Sequence, residues 1–307
     1  MTAITRRGLL AAGAAMAAAK ARGASVAPPP PTPAPRTVKL TAETTLHAIQ
    51  TGWVAVKSAH RAFRGPAFLR LPAILASDEW TEWMPIAAFV VEHRDEVIVV
   101  DAGETARMAD PAYAACDERT GWFYRRNLRF AVKEAEEIGP QMRALGLPPE
   151  RARTVVMTHL HSDHMGGMGW FPEAEFLISA RDFGGHQGAL PCREPKGIRR
   201  TPAAYDGPPL DAFEASRPVT ADGVVSIVPT PGHTPGHQSV VISGEGRRWI
   251  LAGDAAFSTE QAEREIVAGV VEDHGAARRT LKTLKRQLAA GETALLASHD
   301  PEAIAAL

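Results

Sequence analysis

The chain has 307 residues, 45% of them hydrophobic and 22% charged, which is the balance of an ordinary soluble globular protein. Its formal net charge of -1 gives no electrostatic reason to expect a nucleic-acid partner. The two cysteines, Cys116 and Cys192, lack metal-ligand spacing, so any bound metal needs nitrogen and oxygen ligands.

The first residues predict an export signal. Residues 5–10 read TRRGLL, which looks like a twin-arginine signal, and an apolar Ala-rich and Gly-rich run follows to Ala19. That run is too short to span a bilayer and fits a cleaved signal better than an anchor. We therefore predict a signal peptide over residues 1–27, a periplasmic or secreted protein, and no stable membrane anchor after cleavage. A disordered leader or an uncleaved tether is the alternative.

A proline-rich segment separates this leader from the rest of the chain. Residues 28–35 read PPPPTPAP, a run that favours extended polyproline II and excludes helix and sheet. We interpret residues 28–37 as a stiff linker and residues 38–307 as one folded domain.

Strand and helix patterns then alternate along the chain, which indicates an α/β fold. Short β-branched or apolar runs predict strands, and apolar residues at helical spacing predict helices. The predicted strands are residues 97–100, 154–157, 224–228, 240–242, 249–251 and 294–297, and the predicted helices are 134–145 and 275–290. Residues 104–129 and 181–217 are predicted to be long irregular loops, which in compact domains are usually functional.

The strongest chemical signal is the segment THLHSDH at residues 158–164, directly after a predicted buried strand. It places His159, His161, Asp163 and His164 within six residues. Three more candidates also follow predicted strands, and these are His233, Asp254 and His299. The carboxyl ends of strands are where open α/β sheets place their sites. Imidazole and carboxylate suit zinc and similar divalent ions, so the pattern predicts a metal site.

This arrangement resembles the metallo-β-lactamase superfamily over most of residues 85–305. The resemblance implies an αβ/βα sandwich with two divalent metal ions, zinc being the expected metal, at one edge. It assigns His159, His161 and His233 to the first ion and Asp163, His164 and His299 to the second. Asp254 would bridge both ions, and Asp101 would orient a ligand histidine from behind.

The remaining histidines are interpreted separately. His237, four residues after His233, is taken as a hydrogen-bonding neighbour and not as a ligand. The other five are interpreted as ordinary core or surface residues, and these are His47, His60, His93, His186 and His274. Aromatic residues outside the predicted strands are candidates for an acyl pocket or for plain core, and these are Trp53, Trp80, Trp83, Trp122 and Phe123.

Within the superfamily, the segment TPGHTPGHQS at residues 230–239 and the pair His299-Asp300 look most like the N-acyl-homoserine lactonase branch. That resemblance implies a small-molecule lactone or ester substrate. Lactonases of this branch usually have a tyrosine three residues after the bridging aspartate, where this chain has Phe257, so Phe257 is a candidate pocket residue. Asp254 and Asp163 are the catalytic candidates. A hydroxide shared by the two cations would attack the carbonyl, and Asp254 would move a proton to the leaving oxygen.

Several alternatives stay open at this point. An exported aryl ester or phosphotriester hydrolase of the methyl parathion hydrolase type is the second choice. A non-catalytic metal-binding module and a diiron redox protein of the same fold are others, although the diiron branch typically has a glutamate where this chain has His161. The sequence also leaves open whether the chain is a homodimer.

Overall fold

The computed structural model describes residues 26–114, 117–305 and 307. Strands alternate with short helices along these residues. The strands are β1 (Arg36–Lys39), β2 (Thr44–Val56), β3 (Met84–His93), β4 (Glu96–Val100), β5 (Leu128–Ala131), β6 (Thr154–Val156), β7 (Glu175–Ser179), β8 (Arg199–Ala203), β9 (Arg217–Pro218), β10 (Val225–Pro229), β11 (Gln238–Gly244), β12 (Arg247–Gly253) and β13 (Thr293–Ala297).

The helices are short except for one. The α-helices are α1 (Ser58–Arg61), α2 (Arg70–Ala76), α3 (Glu118–Asn127), α4 (Ile138–Ala144), α5 (Ser162–Met165), α6 (Thr259–Glu263), α7 (His274–Ala289) and α8 (Pro301–Ala305). Single 3₁₀ turns lie at Ala67–Leu69, Ala106–Ala109, Pro111–Ala114, Glu134–Glu136, Pro149–Arg151, Met168–Trp170 and Pro191–Arg193. Among the described residues, no helix is long and apolar enough to cross a membrane.

The strands form two sheets. The larger sheet has the order β1-β2-β3-β4-β6-β7-β8, with β5 paired to β2, and the smaller has the order β13-β12-β11-β10-β9. Strands β4, β6, β7 and β8 pair in parallel, as do β12 and β13. The remaining pairs are antiparallel.

The two sheets pack face to face, with helices on their outer faces. Phe89 and Leu177 from the larger sheet share one buried cluster with Ile227 and Leu251 from the smaller. Helices α4 and α5 belong to a second cluster, on the other face of the larger sheet. Helix α7 packs in a third cluster with β11 and β12. This layering confirms the predicted α/β class and the αβ/βα sandwich.

Three local predictions differ from the structure. The segment 181–217 is not irregular throughout, since it contains β8, the edge strand beside β7. The segment 134–145 is a 3₁₀ turn followed by α4, because Glu137 is extended between them. Its carboxylate accepts hydrogen bonds from the hydroxyl of Thr105, the N–H of Ala106 and the indole of Trp170, which holds it outside the helix. The segment 104–129 is not irregular throughout, since it contains α3, capped by the Asp117 carboxylate.

The predicted signal peptide falls on residues that are outside the described part, except for its last two positions. The predicted linker has no regular structure up to residue 35, and β1 begins at Arg36. Cys192 is disulfide-bonded, and Cys116 lies outside the described residues.

Candidate metal centre

All seven candidate ligands lie in segments that follow strands β6, β10, β12 and β13. These segments converge at one edge of the sandwich. There the ligand atoms form three sets, and within each set all atoms lie within 4.8 Å of one another. The sets are His159, His161 and His233; His159, His164 and Asp254; and Asp163, His164 and His299. The structure therefore brings together all seven residues that the resemblance implied as ligands, and the second set joins His159 to His164 through Asp254.

The first group consists of three imidazoles. Nδ1 of His161 lies 3.0 Å from Nε2 of His159 and 2.9 Å from Nε2 of His233. The outer nitrogen of His161, Nε2, contacts the carbonyl of Gln187 at 3.0 Å and must donate to it, because a carbonyl only accepts. The inner nitrogen of the neutral ring then carries a lone pair directed at the other two rings.

Thr158 fixes the tautomer of His159 in the same way. Its hydroxyl donates to Asp101 and lies 3.1 Å from Nδ1 of His159, so Nδ1 donates to it. The inner Nε2 is therefore unprotonated and faces the unprotonated Nδ1 of His161. Two converging lone pairs repel each other unless a cation lies between them, and neutral imidazole is the form that binds metals. The first group thus fits a divalent metal ion.

The second group combines carboxylates with imidazoles. Nε2 of His299 lies 3.5 Å from Asp163 and 3.3 Å from Oδ1 of Asp254, and Nε2 of His164 lies 3.2 Å from the same Oδ1. The outer nitrogen of His299 donates to the carbonyl of Pro85 at 2.8 Å. Both inner Nε2 atoms therefore face carboxylate oxygens, which is a donor set for a second cation.

Asp254 lies between the two groups. Its Oδ1 faces His164 and His299, while its Oδ2 lies 3.4 Å from Nε2 of His233. Gly253 places it there with a left-handed φ of 52°. A Cβ on Gly253 would lie 2.7 Å from the hydroxyl oxygen of Thr158, so only glycine permits this approach. Oδ1 of Asp254 is also buried without a hydrogen-bond partner in the described part of the protein.

Asp101 supports the site from behind. It accepts from the N–H and hydroxyl of Thr158 at 2.7 and 2.8 Å and contacts Nδ1 of His164 at 2.7 Å. Asp101 is held at a φ of 58°, which is uncommon for a residue with a side chain. This geometry agrees with the orienting role that the resemblance implied.

His237 contacts the backbone of Asp254 and lies beside the ligand groups. Its Nε2 accepts from the N–H of Asp254 at 3.0 Å, so its Nδ1 carries the proton and donates to Thr230 at 2.9 Å. With both ring nitrogens occupied, His237 orients Asp254, which is the neighbouring role proposed for it from the sequence.

The pKa values of the histidines differ between the two ligand groups. Burial lowers the pKa of His159 and His161 well below the usual value, and it lowers the pKa of His233 to about 4. Burial also lowers the pKa of His164 and His299, but the nearby carboxylates together outweigh it and raise the pKa: Asp254 and Asp101 beside His164, and Asp254 and Asp163 beside His299. The buried carboxylates give the second group a negative character that favours a cation.

A cavity of about 630 Å³ opens above the ligands. Phe257 is buried in its wall, with its ring stacked on His299 at a centroid distance of 5.3 Å. Of the aromatic candidates from the sequence, Phe123 lines this cavity. The described tryptophans do not line this cavity: Trp53 is buried in β2, and a separate cleft is lined by Trp80, Trp83 and Trp122.

Sequence reasoning missed two histidines of this site, His60 and His186. Both line the cavity. Nε2 of His186 accepts from the N–H of Leu160 at 3.0 Å and so positions the turn between His159 and His161. No local motif marks either residue. The only available hint was that His186 lies in the segment 181–217, which the sequence predicts to be a functional loop. No such hint exists for His60.

Comparisons with known proteins agree with this geometry. Residues 81–299 match the profile described as Metallo-beta-lactamase superfamily. Probable metallo-hydrolases of Mycobacterium bovis and Mycobacterium tuberculosis are each 35% identical over 180 residues, which cover 55% of this chain and 56% of each relative. The chain thus spans about half the length of these two relatives.

Two further relatives cover more of the chain. The N-acyl homoserine lactonase AttM of Agrobacterium fabrum is 26% identical over 72% of this chain and 83% of its own length. The solved structure of an N-acyl homoserine lactone hydrolase, with N-hexanoyl-L-homoserine at its catalytic metal centre, superposes with a TM-score of 0.69. It is 20% identical and covers 87% of this chain and 97% of that chain, a likeness of fold.

Proposed function

Because this chain belongs to the metallo-beta-lactamase superfamily, we propose that it is a metal-dependent hydrolase that opens lactone rings, with N-acyl-homoserine lactones as the first substrates to test. The observation that carries the proposal is the convergence of seven nitrogen and oxygen ligands, divided by Asp254, at the base of a cavity. A carboxylate with one oxygen toward each ligand group suits a pair of catalytic metals. A purely structural metal site does not need the cavity.

The cavity supports a lactone or ester with an apolar tail. Its walls include Val54, Ile74, Met84 and Leu128, all buried apolar side chains. Apolar walls with a few convergent polar groups are typical of small-molecule sites. The likeness to proteins named as N-acyl homoserine lactonases supports the same substrate class.

Two divalent ions, which we propose to be zinc, would supply an activated nucleophile derived from water and positive charge for the developing oxyanion. His159, His161 and His233 would hold the first ion, and Asp163, His164 and His299 the second. Asp254 would contact both and is assigned the transfer of a proton to the leaving oxygen, because its carboxylate faces both histidine groups. Phe257 contributes an apolar ring that keeps water from the reacting carbonyl.

The proposal is tested by metal and activity together. Purified protein should contain two metal ions per chain by elemental analysis, lose activity on chelation and regain it with zinc, cobalt or manganese. Rates on an N-acyl-homoserine lactone, an aryl ester and an aryl phosphotriester should favour the lactone. Preference for the phosphotriester would support the methyl parathion hydrolase type, and two metals without any hydrolysis would support the non-catalytic module.

We also propose export through the twin-arginine route, on the basis of the TRRGLL motif. Replacing Arg6 and Arg7 with Lys should leave the precursor in the cytoplasm, since this route reads the arginine pair. Cell fractionation with an immunoblot measures the distribution. Equal amounts of mature protein in the periplasm before and after the change would contradict the proposal.

A further inference from the structure

His60 is a buried histidine that belongs to the cavity above the metal centre. It lies in α1, is 6% exposed, and lines the cavity with His233, Asp254 and His299. The Phe123 ring is 6.2 Å from its own, between centroids. In the described part of the chain, none of the three convergent ligand sets includes His60. It therefore lines the same cavity as the metal ligands without a place among them.

The backbone around His60 is fixed to the segment that follows Asp254. The N–H groups of Gly269 and Val270 donate to the carbonyl of His60 at 2.8 and 3.2 Å. A Cβ on Gly269 would lie 1.8 Å from the carbonyl oxygen of Ala59, so no larger residue permits this contact.

Gln261 adds a second connection between the same two segments. Its side-chain amide donates to the carbonyl of Arg61 at 2.9 Å and accepts from the N–H of Phe257 at 2.9 Å. His60 and Phe257 are thereby held at defined positions in one cavity wall. This is the rigid support expected of a residue that positions a ligand.

The imidazole of His60 has an unused hydrogen-bonding atom. Its Nδ1 is buried and has no hydrogen-bond partner within the described residues. Nδ1 has almost no accessible surface and so faces the protein, whereas Nε2 is not among the buried unpaired atoms of the described residues and is the ring nitrogen available to the cavity. Burial lowers the pKa of His60 to about 3, so at neutral pH the ring is uncharged and offers one donor and one acceptor. The neighbouring Phe257 ring offers neither.

We propose that His60 is a substrate-binding residue that hydrogen-bonds a polar group adjacent to the scissile carbonyl, so that the site prefers lactones bearing an acylamino substituent over plain lactones. The inference rests on the proposed lactonase function. The apolar walls take the substrate's tail, and His60 reads the polar group between that tail and the ring. A substrate that covers the accessible nitrogen without bonding it leaves a buried unpaired group, so the site discriminates against that substrate.

The experiment compares His60→Leu, which removes both ring nitrogens, with His60→Gln, which keeps a donor and an acceptor. His274→Gln is the matched control, because His274 lies at the start of α7 and does not line the cavity. The measurements are kcat and KM for N-hexanoyl-homoserine lactone and for γ-decalactone, which has an apolar tail and no amide. Metal content and the Kd of ring-opened N-hexanoyl-homoserine are measured on the same samples.

His60→Leu should lower kcat/KM for the acylamino lactone roughly tenfold, the usual effect of one lost hydrogen bond, and leave γ-decalactone nearly unchanged. It should also weaken binding of the ring-opened product while metal content stays at the unmutated level, and His60→Gln should restore much of the difference. An equal loss on both lactones, an unchanged ratio, or a loss of metal would overturn the inference. If the unmutated protein hydrolyses neither lactone, the proposed function itself has failed, and the inference fails with it.

Discussion

Glu104 and Arg193 form a buried ion pair whose rupture should be far more costly than that of a surface pair. Oε1 of Glu104 accepts from the Arg193 guanidinium and from the N–H of Thr105, and the two side chains are 0% and 1% exposed. The Arg193 guanidinium also lies 4.2 Å above the ring of Tyr113. The pair connects the turn after β4 to the 181–217 loop.

The perturbation is Glu104→Ala. It leaves the Arg193 guanidinium buried and still charged, which typically destabilises a protein by about 3–5 kcal/mol. The matched control is Glu260→Ala, which breaks an exposed pair with Arg264 one helical turn away; such pairs contribute roughly 0.2–1 kcal/mol. Adding Arg193→Met to Glu104→Ala removes the unpaired charge and should recover most of the loss, because no buried ion then remains.

The assay is urea denaturation of the metal-loaded protein under non-reducing conditions, at one fixed metal concentration so that ligand binding contributes equally. The double-mutant cycle should give a coupling free energy of at least about 2 kcal/mol, because the recovered part of the loss enters the coupling in full. The reasoning is refuted if Glu104→Ala costs no more than Glu260→Ala. It is also refuted if the two changes in the pair are simply additive.

Three further predictions concern the site and the stability of the fold. His233→Ala should lower metal content, while His237→Ala should keep both metals. The reason is that the two ring nitrogens of His237 already bind Thr230 and the backbone of Asp254. Elemental analysis showing the reverse would exchange the roles of the two histidines. Phe257→Tyr should raise kcat/KM for acyl-homoserine lactones more than for activated aryl esters, since it adds a donor at the carbonyl, and an equal change for both would contradict this. Burial raises the pKa of Asp222, but hydrogen bonds from His93, the N–H of Val224 and the hydroxyl of Thr220 together outweigh it, so the net shift is downward. A carboxyl group whose pKa is lower in the folded state stabilises the fold above its unfolded pKa of about 4, and this contribution is lost as pH falls below that value. The destabilisation by Asp222→Asn should therefore shrink at acidic pH. An equal difference in melting temperature between the two proteins at neutral and acidic pH would argue against this.

Much of the metal centre was readable from the sequence because its ligands follow strands with short-range signatures. The β-branched run before His159 and the apolar run before Asp254 predict buried strands, and the carboxyl ends of strands are where such sheets place sites. The α7 helix and the strands from β10 onward were also predicted within a few residues. Local pattern was sufficient there, because these strands are buried on both faces and form continuous apolar runs, while α7 buries residues at helical spacing.

Other features could be seen only in the tertiary structure, because they depend on contacts between residues far apart in the chain. His60 enters the cavity because the backbone of residues 269 and 270 binds its carbonyl, and no motif near residue 60 encodes that pairing. Glu137 interrupts the predicted helix because Thr105 and Trp170 supply partners for its carboxylate. The tautomers of His159 and His161 follow from Thr158 and a loop carbonyl at residue 187. Sequence periodicity reports which face of an element is buried, whereas these features depend on which group from another element occupies that face.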